Sequence, residues 1–203
     1  SPYTLSLHDA PPIYGQSTRA RWPEKVSSDE QLKAAAAKEQ QQLKAWLAER
    51  DKSSLDQYGG WSKGPAFDAS GFFRTEKRDG RWYLVTPEGH PFYSLGVNTV
   101  ASDNNQTYVA GREWMFAALP KAGEPLDKYY GSADNRTGNG AGEGRSFGAG
   151  RWYDFYRANL QRTYDTEGFD QKRWVSHTLD RLQAWGFNTV GNWSAAQLAR
   201  DRK

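Results

Sequence analysis

One segment near the end of the chain constrains the fold more than any other, because a helical pattern, a glycine and a short apolar run follow one another there. Apolar side chains recur at helical spacing within 169–185, and Gly186 stands where a glycine commonly ends a helix. The next run, 187–193, has the length of a short buried strand and ends in Asn192 and Trp193. A helix followed directly by such a strand predicts an α/β fold.

A second run, 91–100, is apolar on both faces through its middle, which predicts a strand buried on both sides in a parallel sheet. Its last residues include another asparagine, Asn98. In α/β barrels and in open parallel sheets alike, ligands lie beyond the carboxyl ends of the strands. We therefore expect Asn98 and Asn192 to lie at one shared edge.

A long helix is predicted over about 29–50, where strong helix formers follow Ser27 and Glu30 at the spacing of a capping box. Its apolar stripe is narrow and is interrupted by Glu39, so we expect one end of the helix to pack and the rest to be solvated. A coiled coil is the alternative, although the segment offers fewer than about four clean heptads.

Two turns are expected between this helix and the run at 91–100. Asp79 and Gly80 separate two strand-like runs and predict a β-hairpin, because both positions of such a turn need positive φ. The second turn is expected at 87–90, and His90 is interpreted as a turn residue. His177, on the face of its helix opposite the leucines, is interpreted as a solvated or capping histidine.

A long excursion is predicted from 101 to 150. Within it, 111–120 has the pattern of a short helix, whereas 131–150 holds seven glycines and is expected to be irregular and mobile. Neither GxGxxG nor the phosphate-loop pattern occurs there, which argues against a nucleotide site.

The composition limits the classes of function. The 27 basic and 24 acidic residues are interspersed, a balance that does not indicate a nucleic-acid-binding protein. The absence of cysteine excludes disulfides and thiolate metal sites, and neither a cofactor nor a metal is predicted. No stretch approaches the roughly 20 apolar residues of a membrane helix. Nine Trp, eleven Tyr and nine Phe favour carbohydrate recognition by ring stacking, with core filling as the alternative for each ring.

Residues 1–26 are predicted to be a disordered or non-native tail. The first fifteen residues show neither helical nor strand periodicity, and 1–13 resembles a translated sequencing adapter. The expected organisation is therefore this tail, a helix over 27–52, a linker over 53–70 and a main domain over 71–203.

Four blocks within the main domain, taken together and in order, resemble the family-fifty glycoside hydrolases, the β-agarases. They are GFFRTEKRDGRWYLVTPEGHPFYSLGVNTV, GREWMFAALP, FYRANLQRTY and RLQAWGFNTVGNWS. The resemblance extends over some three-fifths of the chain, from about Gly71 to Ser194.

This resemblance implies an α/β fold that is an incomplete (β/α)8 TIM barrel, with 91–100 and 187–193 as its first two strands, a covering β-hairpin and the long N-terminal helix. It also implies retaining hydrolysis of β-1,4 linkages in an agar-type galactan, in a secreted or periplasmic protein. The family uses two glutamates, after the fourth and seventh strands, whereas a whole barrel takes about 250 residues. No catalytic residue can therefore be carried over, and we expect these 203 residues to be inactive alone.

Substrate contacts are expected where polar or aromatic residues follow the two strands or lie in the excursion: Asn98, Arg112, Glu113, Trp114, Asn192 and Trp193. A solvated or salt-bridged role is the alternative for Glu113, as it is for Asp103 and Glu143, two further carboxylates considered in the excursion. Packing beneath a further strand is the alternative for Trp193. The expected partner is a galactan oligosaccharide or polysaccharide. Two other functions stay open, a non-catalytic carbohydrate-binding module and a domain that uses its long helix as an interaction arm.

Overall fold

The computed structural model describes residues 14–16, 22–50, 52–103, 105–116, 118–134 and 149–200. The protein mixes helices and sheets and divides into two compact units. The first unit comprises Ser1–Lys38 and Ser102–Gln171, and the second comprises Glu39–Ala101 and Lys172–Lys203. The helices are α1 (Asp29–Glu49), α2 (Phe155–Tyr164), α3 (Gln171–Ala184) and α4 (Gln197–Arg200). The strands are β1 (Arg74–Arg78), β2 (Arg81–Val85), β3 (Pro91–Phe92), β4 (Gly96–Val97), β5 (Thr107–Tyr108), β6 (Tyr130–Asp134), β7 (Ala149–Tyr153) and β8 (Thr189–Val190).

Helix α1 confirms the predicted long helix, but its cap lies one residue later than expected. Ser28 Oγ accepts a hydrogen bond from the Gln31 backbone N–H at 3.2 Å, and Gln31 Oε1 accepts one from the Ser27 N–H at 2.9 Å. The predicted pairing of Ser27 with Glu30 is therefore wrong, because the first helical residue makes Ser28 the cap and Gln31 the third residue of the helix. No helix in the described part of the chain is long and apolar enough to span a membrane.

The end of α3 is the predicted glycine stop. Gly186 has a φ of 89° and its N–H donates to the Gln183 carbonyl at 3.0 Å, while the Phe187 N–H donates to the Leu182 carbonyl at 2.9 Å. This pair of bonds is the Schellman motif, which turns the chain sharply into β8.

The predicted parallel pairing is confirmed in the second unit. Strands β4 and β8 are parallel neighbours, with Gly96 opposite Thr189 and Val97 opposite Val190. The chain reaches β8 from β4 by way of α3, so a helix precedes the second parallel strand, as the sequence predicts.

The prediction of a single buried strand over 91–100 is wrong. Its start, β3, pairs antiparallel with β2, whereas only β4 joins β8. In the segment between β3 and β4, the Asn188 side chain makes hydrogen bonds to the backbone where a strand partner would otherwise do so. Its Oδ1 accepts a hydrogen bond from the Leu95 N–H and its Nδ2 donates one to the Tyr93 carbonyl, each at 2.8 Å. Tyr93 is accordingly 80% exposed rather than buried.

The predicted hairpin is confirmed by its turn and register. Arg78 lies opposite Arg81 in the antiparallel pair β1–β2, and Asp79 and Gly80 have φ values of 51° and 78°. The second predicted turn, between β2 and β3, is also present: the Gly89 N–H donates to the Thr86 carbonyl at 3.0 Å. Strands β1, β2 and β3 form one antiparallel sheet.

The first unit is built on the antiparallel sheet β5-β7-β6, packed against a core of Val109, Tyr129, Tyr153, Phe155 and Ala158. The prediction of an irregular segment over 131–150 is wrong at both ends, which are strands; 135–148 lies outside the described residues. Gly131 is needed for packing, because a Cβ there would lie 2.1 Å from the Trp152 ring of the neighbouring strand. The short helix predicted over 111–120 is a single 3-10 turn, Glu113–Met115.

Part of the segment predicted as a tail has defined contacts in the first unit, although 1–13 lies outside the described residues. Tyr14 is only 7% exposed, and its hydroxyl donates to Asp29 Oδ1 at 2.7 Å. Asn159 Nδ2 donates to the Tyr14 carbonyl at 3.0 Å, and the Arg162 guanidinium lies 5.3 Å from the Tyr14 ring centroid. These contacts attach Tyr14 to α1 and α2.

Two glycines with similar φ allow a matched test of the sheet β1-β2-β3. In Gly89→Ala a Cβ would lie 2.1 Å from the Phe67 carbonyl oxygen, at a φ of 86°, whereas Gly80→Ala meets nothing within 4 Å, at a φ of 78°. We expect Gly80→Ala to lower the free energy of unfolding by about 1 kcal/mol, through backbone strain alone. Gly89→Ala should cost roughly 2–4 kcal/mol, because a clash adds to that strain. Urea denaturation measures both, and equal costs would contradict the close packing of Phe67 on Gly89.

Candidate functional site

The two asparagines predicted to share an edge are in direct contact. Asn98 Oδ1 accepts a hydrogen bond from the Asn192 N–H at 3.0 Å, and the Thr99 N–H donates to the Asn192 carbonyl at 2.8 Å. Gly191 allows this approach, because a Cβ there would lie 2.0 Å from Asn98 Oδ1. The carboxyl ends of β4 and β8 are thus joined by one side-chain and one backbone hydrogen bond beyond the last ladder residues. We call Asn98, Asn192 and Trp193 the carboxyl edge.

Two non-glycine residues at this edge have left-handed backbone conformations. Thr99 and Trp193 both have a φ of 59°, which is costly for a β-branched and for a bulky side chain, by about 1–3 kcal/mol each. The Trp193 N–H donates to Asn192 Oδ1 at 3.0 Å, which helps to hold this conformation. Trp193 is 73% exposed, so the strained turn presents an indole to solvent beside the two asparagines. Strain of this kind is concentrated at functional sites.

The other predicted contacts, Arg112, Glu113 and Trp114, lie together at the 3-10 turn of the first unit. Arg112 Nη2 donates to the Tyr108 carbonyl, and the Glu113 carboxylate lies 3.6 Å from the Arg151 guanidinium. Glu113 therefore has the salt-bridged arrangement that was the alternative to substrate contact. Trp114 is 73% exposed.

The two other carboxylates considered from the sequence, Asp103 and Glu143, add little to this arrangement. Asp103 is an exposed loop residue, and Glu143 lies outside the described residues. Because the carboxyl edge belongs to the second unit and the 3-10 turn to the first, each is a separate candidate site.

Sequence reasoning missed a buried carboxylate in the second unit. The Asp56 side chain is 2% exposed and accepts hydrogen bonds from Thr86 Oγ1 at 2.5 Å and His90 Nδ1 at 2.9 Å. The backbone N–H groups of Tyr58 and Gly60 donate to its other oxygen at 2.9 and 2.7 Å. Burial opposes ionisation, but these four donors outweigh it and lower the pKa of Asp56 below its ordinary value. His90 is a turn residue as predicted, and its ring also binds this carboxylate.

The same cluster does not fit a resident metal ion. Asp56, Glu88 and His90 each offer a donor atom, and these atoms lie within 4.8 Å of one another. However, both oxygens of Asp56 already accept two hydrogen bonds each, and Glu88 accepts one from Gln57 Nε2. A cation would have to displace these donors, so the cluster is a structural centre that joins 55–61 to the turn at 86–90.

A second missed interaction joins α1 to α3 within the second unit. Arg181 donates to both oxygens of Glu39, at 2.8 and 2.7 Å, and His177 Nε2 lies 3.2 Å from Glu39 Oε2. Burial opposes the charge of Glu39, but the hydrogen bonds from Arg181 outweigh it and hold its pKa below the ordinary value. The interpretation of His177 as solvated or capping is wrong. The sequence signal for this interaction was Glu39 itself, a carboxylate that interrupts the apolar stripe of α1.

No model of a protein family matches the chain. Two curated proteins are similar to it along most of its length. β-Agarase B of Vibrio sp. (strain JT0107) is 35% identical in an alignment 208 residues long that covers 94% of this chain and 21% of that protein. β-Agarase A of the same strain is 26% identical over 91% of this chain and 18% of that protein. The chain therefore spans about a fifth of the length of the curated relatives that it matches.

Three solved structures are similar to the fold. The agarase AgWH50C has a TM-score of 0.75 and 32% identity, over 91% of this chain and 27% of that one. PfGH50B has a TM-score of 0.75 and 30% identity over 90% of this chain and 27% of that one. An exo-β-agarase has a TM-score of 0.74 and 27% identity over 90% of this chain and 29% of that one. The similarity thus extends along nearly the whole chain in sequence and in structure.

The four hydrogen bonds to Asp56 predict a dependence of stability on pH. Because the folded-state pKa is lowered, the stabilisation is complete above the unfolded-state pKa of about 3.9 and is lost as pH falls through the folded value. Asp56→Asn should lower the free energy of unfolding at pH 7 by roughly 2–4 kcal/mol, because an amide nitrogen replaces one acceptor. The variant should also lose less stability than the wild type below pH 4.

Thermal unfolding followed by circular dichroism from pH 3 to pH 7 measures this dependence. Asp68→Asn, at an exposed position of the same unit, is the matched control and should leave the profile unchanged. Identical acid profiles for the wild type and Asp56→Asn would refute the assignment.

Proposed function

The chain belongs to the β-agarases of glycoside hydrolase family fifty, and on that premise we propose that it forms part of an enzyme that hydrolyses agar-type galactans. The proposed reaction cleaves β-1,4 linkages with retention. The observation that carries the proposal is the parallel pair β4–β8 with Asn98, Asn192 and Trp193 at its carboxyl edge. Since agar is a polymer found outside cells, we propose a secreted or periplasmic location.

We assign β4 and β8 as the first two strands of a (β/α)8 barrel. Barrel strands are parallel neighbours with a helix between them, and the active site of such a barrel lies at the carboxyl ends of its strands. The pair β4–β8, reached through α3 and followed by α4, has this order and direction. The sheet β1-β2-β3 precedes the pair as the covering hairpin.

The carboxyl edge has the chemistry of a sugar-binding surface. The exposed indole of Trp193 can stack on the C–H face of a galactose ring. The bonds that position Asn98 and Asn192 use their side-chain oxygens, as acceptors from the N–H groups of Asn192 and Trp193. In the described part of the chain this leaves both amide nitrogens to donate to sugar hydroxyls.

The 3-10 turn of the first unit supplies the second group of proposed contacts. Trp114 offers an exposed ring there, and Arg112 and Glu113 directly precede it. Because Glu113 is paired with Arg151, we assign it a charged contact to substrate hydroxyls rather than proton transfer. Retaining hydrolysis needs two carboxyls about 5–5.5 Å apart, one protonated and one ionised. No such pair is assigned among these residues.

Substitution of Trp193 tests the carboxyl edge. Trp193→Ala should weaken the binding of agarose oligosaccharides by about tenfold, because the stacking platform is lost. Trp185→Ala is the matched control, since Trp185 is also exposed in the second unit but lies at the end of α3. Isothermal titration calorimetry measures both affinities. Unchanged affinity in Trp193→Ala, or an equal loss in the control, would remove the stacking assignment.

Agarose hydrolysis is expected to differ between the 203-residue chain and the longer enzyme of which we propose it is part. We expect the 203 residues to release no reducing sugar from agarose, because the two catalytic glutamates of the family have no counterpart among them. A protein of the relatives' length that contains this sequence should hydrolyse agarose with retained anomeric configuration, as followed by proton NMR. Reducing-sugar release by the chain alone would contradict the assignment, as would a full-length protein that binds galactan without cleaving it.

A further inference from the structure

The sheet β1-β2-β3 has one face covered by Phe67 and a second face on which exposed and half-buried side chains lie. On the covered face the Phe67 ring lies 5.3 Å from the Tyr83 ring. Residues paired across neighbouring strands lie on the same face of a sheet. The register pairs Lys77 with Trp82 and Leu84 with Phe92, and Trp82 and Leu84 lie two residues apart on β2. These four side chains therefore share the other face.

Aromatic rings continue this second face beyond the strands. The Phe73 ring centroid lies 5.2 Å from that of Phe92 and 5.7 Å from that of Tyr58. Exposure is 70% for Trp82, 47% for Phe73 and 39% for Tyr58. We call Tyr58, Phe73, Trp82 and Phe92 the aromatic face. The fourth ring, Phe92, is half-buried. Leaving exposed aromatic rings in water is unfavourable, and exposed apolar surface of this kind marks a binding site.

The charge beside the aromatic face is positive. By register Lys77 lies on this face, whereas Arg74, Arg78 and Arg81 lie on the covered face with Tyr83. Arg74 is neutralised by Glu76 at 2.6 Å, whereas the Lys77 ammonium lies 5.9 Å from the Trp82 ring centroid. Within the described residues Lys77 makes no ion pair, so its charge is available to an anionic ligand stacked on Trp82.

We propose that the aromatic face binds a sulfated galactan chain at a second carbohydrate site, separate from the carboxyl edge. A galactose ring stacks on Trp82, and Lys77 pairs with a sulfate ester on the same or the next sugar. A neutral galactan could stack on the aromatic rings but could not pair with the Lys77 ammonium, so the charge favours the sulfated polymer. The inference takes the polysaccharide class from the proposed function, but it concerns a different sheet and different residues.

The experiment uses the Trp193→Ala chain, so that binding at the carboxyl edge is weakened and the remaining binding reports the aromatic face. The probes are a sulfated red-algal galactan oligosaccharide and the same oligosaccharide after chemical desulfation. Affinities are measured by calorimetry at low and at high salt. We expect a preference for the sulfated probe of about tenfold at low salt, and a smaller preference at high salt.

Three variants in that background separate the roles. Trp82→Ala should weaken the binding of both probes by tenfold or more, because the platform is lost. Lys77→Gln should abolish the preference for the sulfated probe and leave the affinity for the desulfated one unchanged. Arg81→Gln is the matched control. It removes an exposed charge from the same hairpin, but by register Arg81 lies on the opposite face, so it should change neither affinity.

Equal affinity for the two probes, or equal effects of Lys77→Gln and Arg81→Gln, would overturn the proposal. Concentration-dependent dimerisation that Trp82→Ala abolishes, without any effect on galactan binding, would also overturn it by assigning the aromatic face to a second copy of the chain. Neither outcome bears on the proposed function, since agarose binding that depends on Trp193 and hydrolysis by the full-length protein are measured separately.

Discussion

The parallel pairing of β4 with β8 depends on polar side chains, because each strand contributes only two residues to the ladder. Before the pair, the Asn188 amide bonds the backbone on both sides of Ser94, and after it, Asn98 accepts from the Asn192 N–H. These bonds satisfy backbone groups that a longer ladder would otherwise use. The Asn98 bond also holds the Asn192–Trp193 turn, so this one interaction both extends the pairing and shapes the candidate site.

Elements whose signal is local were predictable from the sequence. The Asp79-Gly80 turn and the Gly186 stop each require a positive φ, and that requirement is visible in the residues themselves. The interior of α1 was predictable from helix propensity, but the choice between two adjacent serines as its cap was not. That choice depends on Gln31, whose side chain reaches the Ser27 N–H. The parallel adjacency of β4 and β8 was predictable because a helical pattern directly precedes the second strand and an asparagine follows each strand.

Interactions between distant residues were not predictable. Glu39 lies 142 residues from Arg181, and as a break in an apolar stripe it indicates only that a partner is needed. Asp56 lies 30 residues from Thr86, in a stretch whose Gly, Ser and Pro content is typical of a linker. Gly131 lies in a segment whose glycine content predicts mobility, because its cross-strand contact with Trp152 cannot be deduced from composition. In each case the sequence shows one of the two residues and its chemical properties, but their contact depends on a second residue that is distant in the sequence.

The parallel register of β4 and β8 can be tested directly by disulfide trapping, because the chain contains no cysteine. Residues opposite each other in neighbouring strands lie about 5 Å apart, within reach of a disulfide, whereas a shift of two residues increases this to roughly 8 Å. Val97→Cys combined with Val190→Cys should form an intramolecular disulfide on oxidation, and Leu95→Cys combined with Val190→Cys should not. A disulfide in the second pair but not in the first would contradict the parallel register, and with it the proposed barrel.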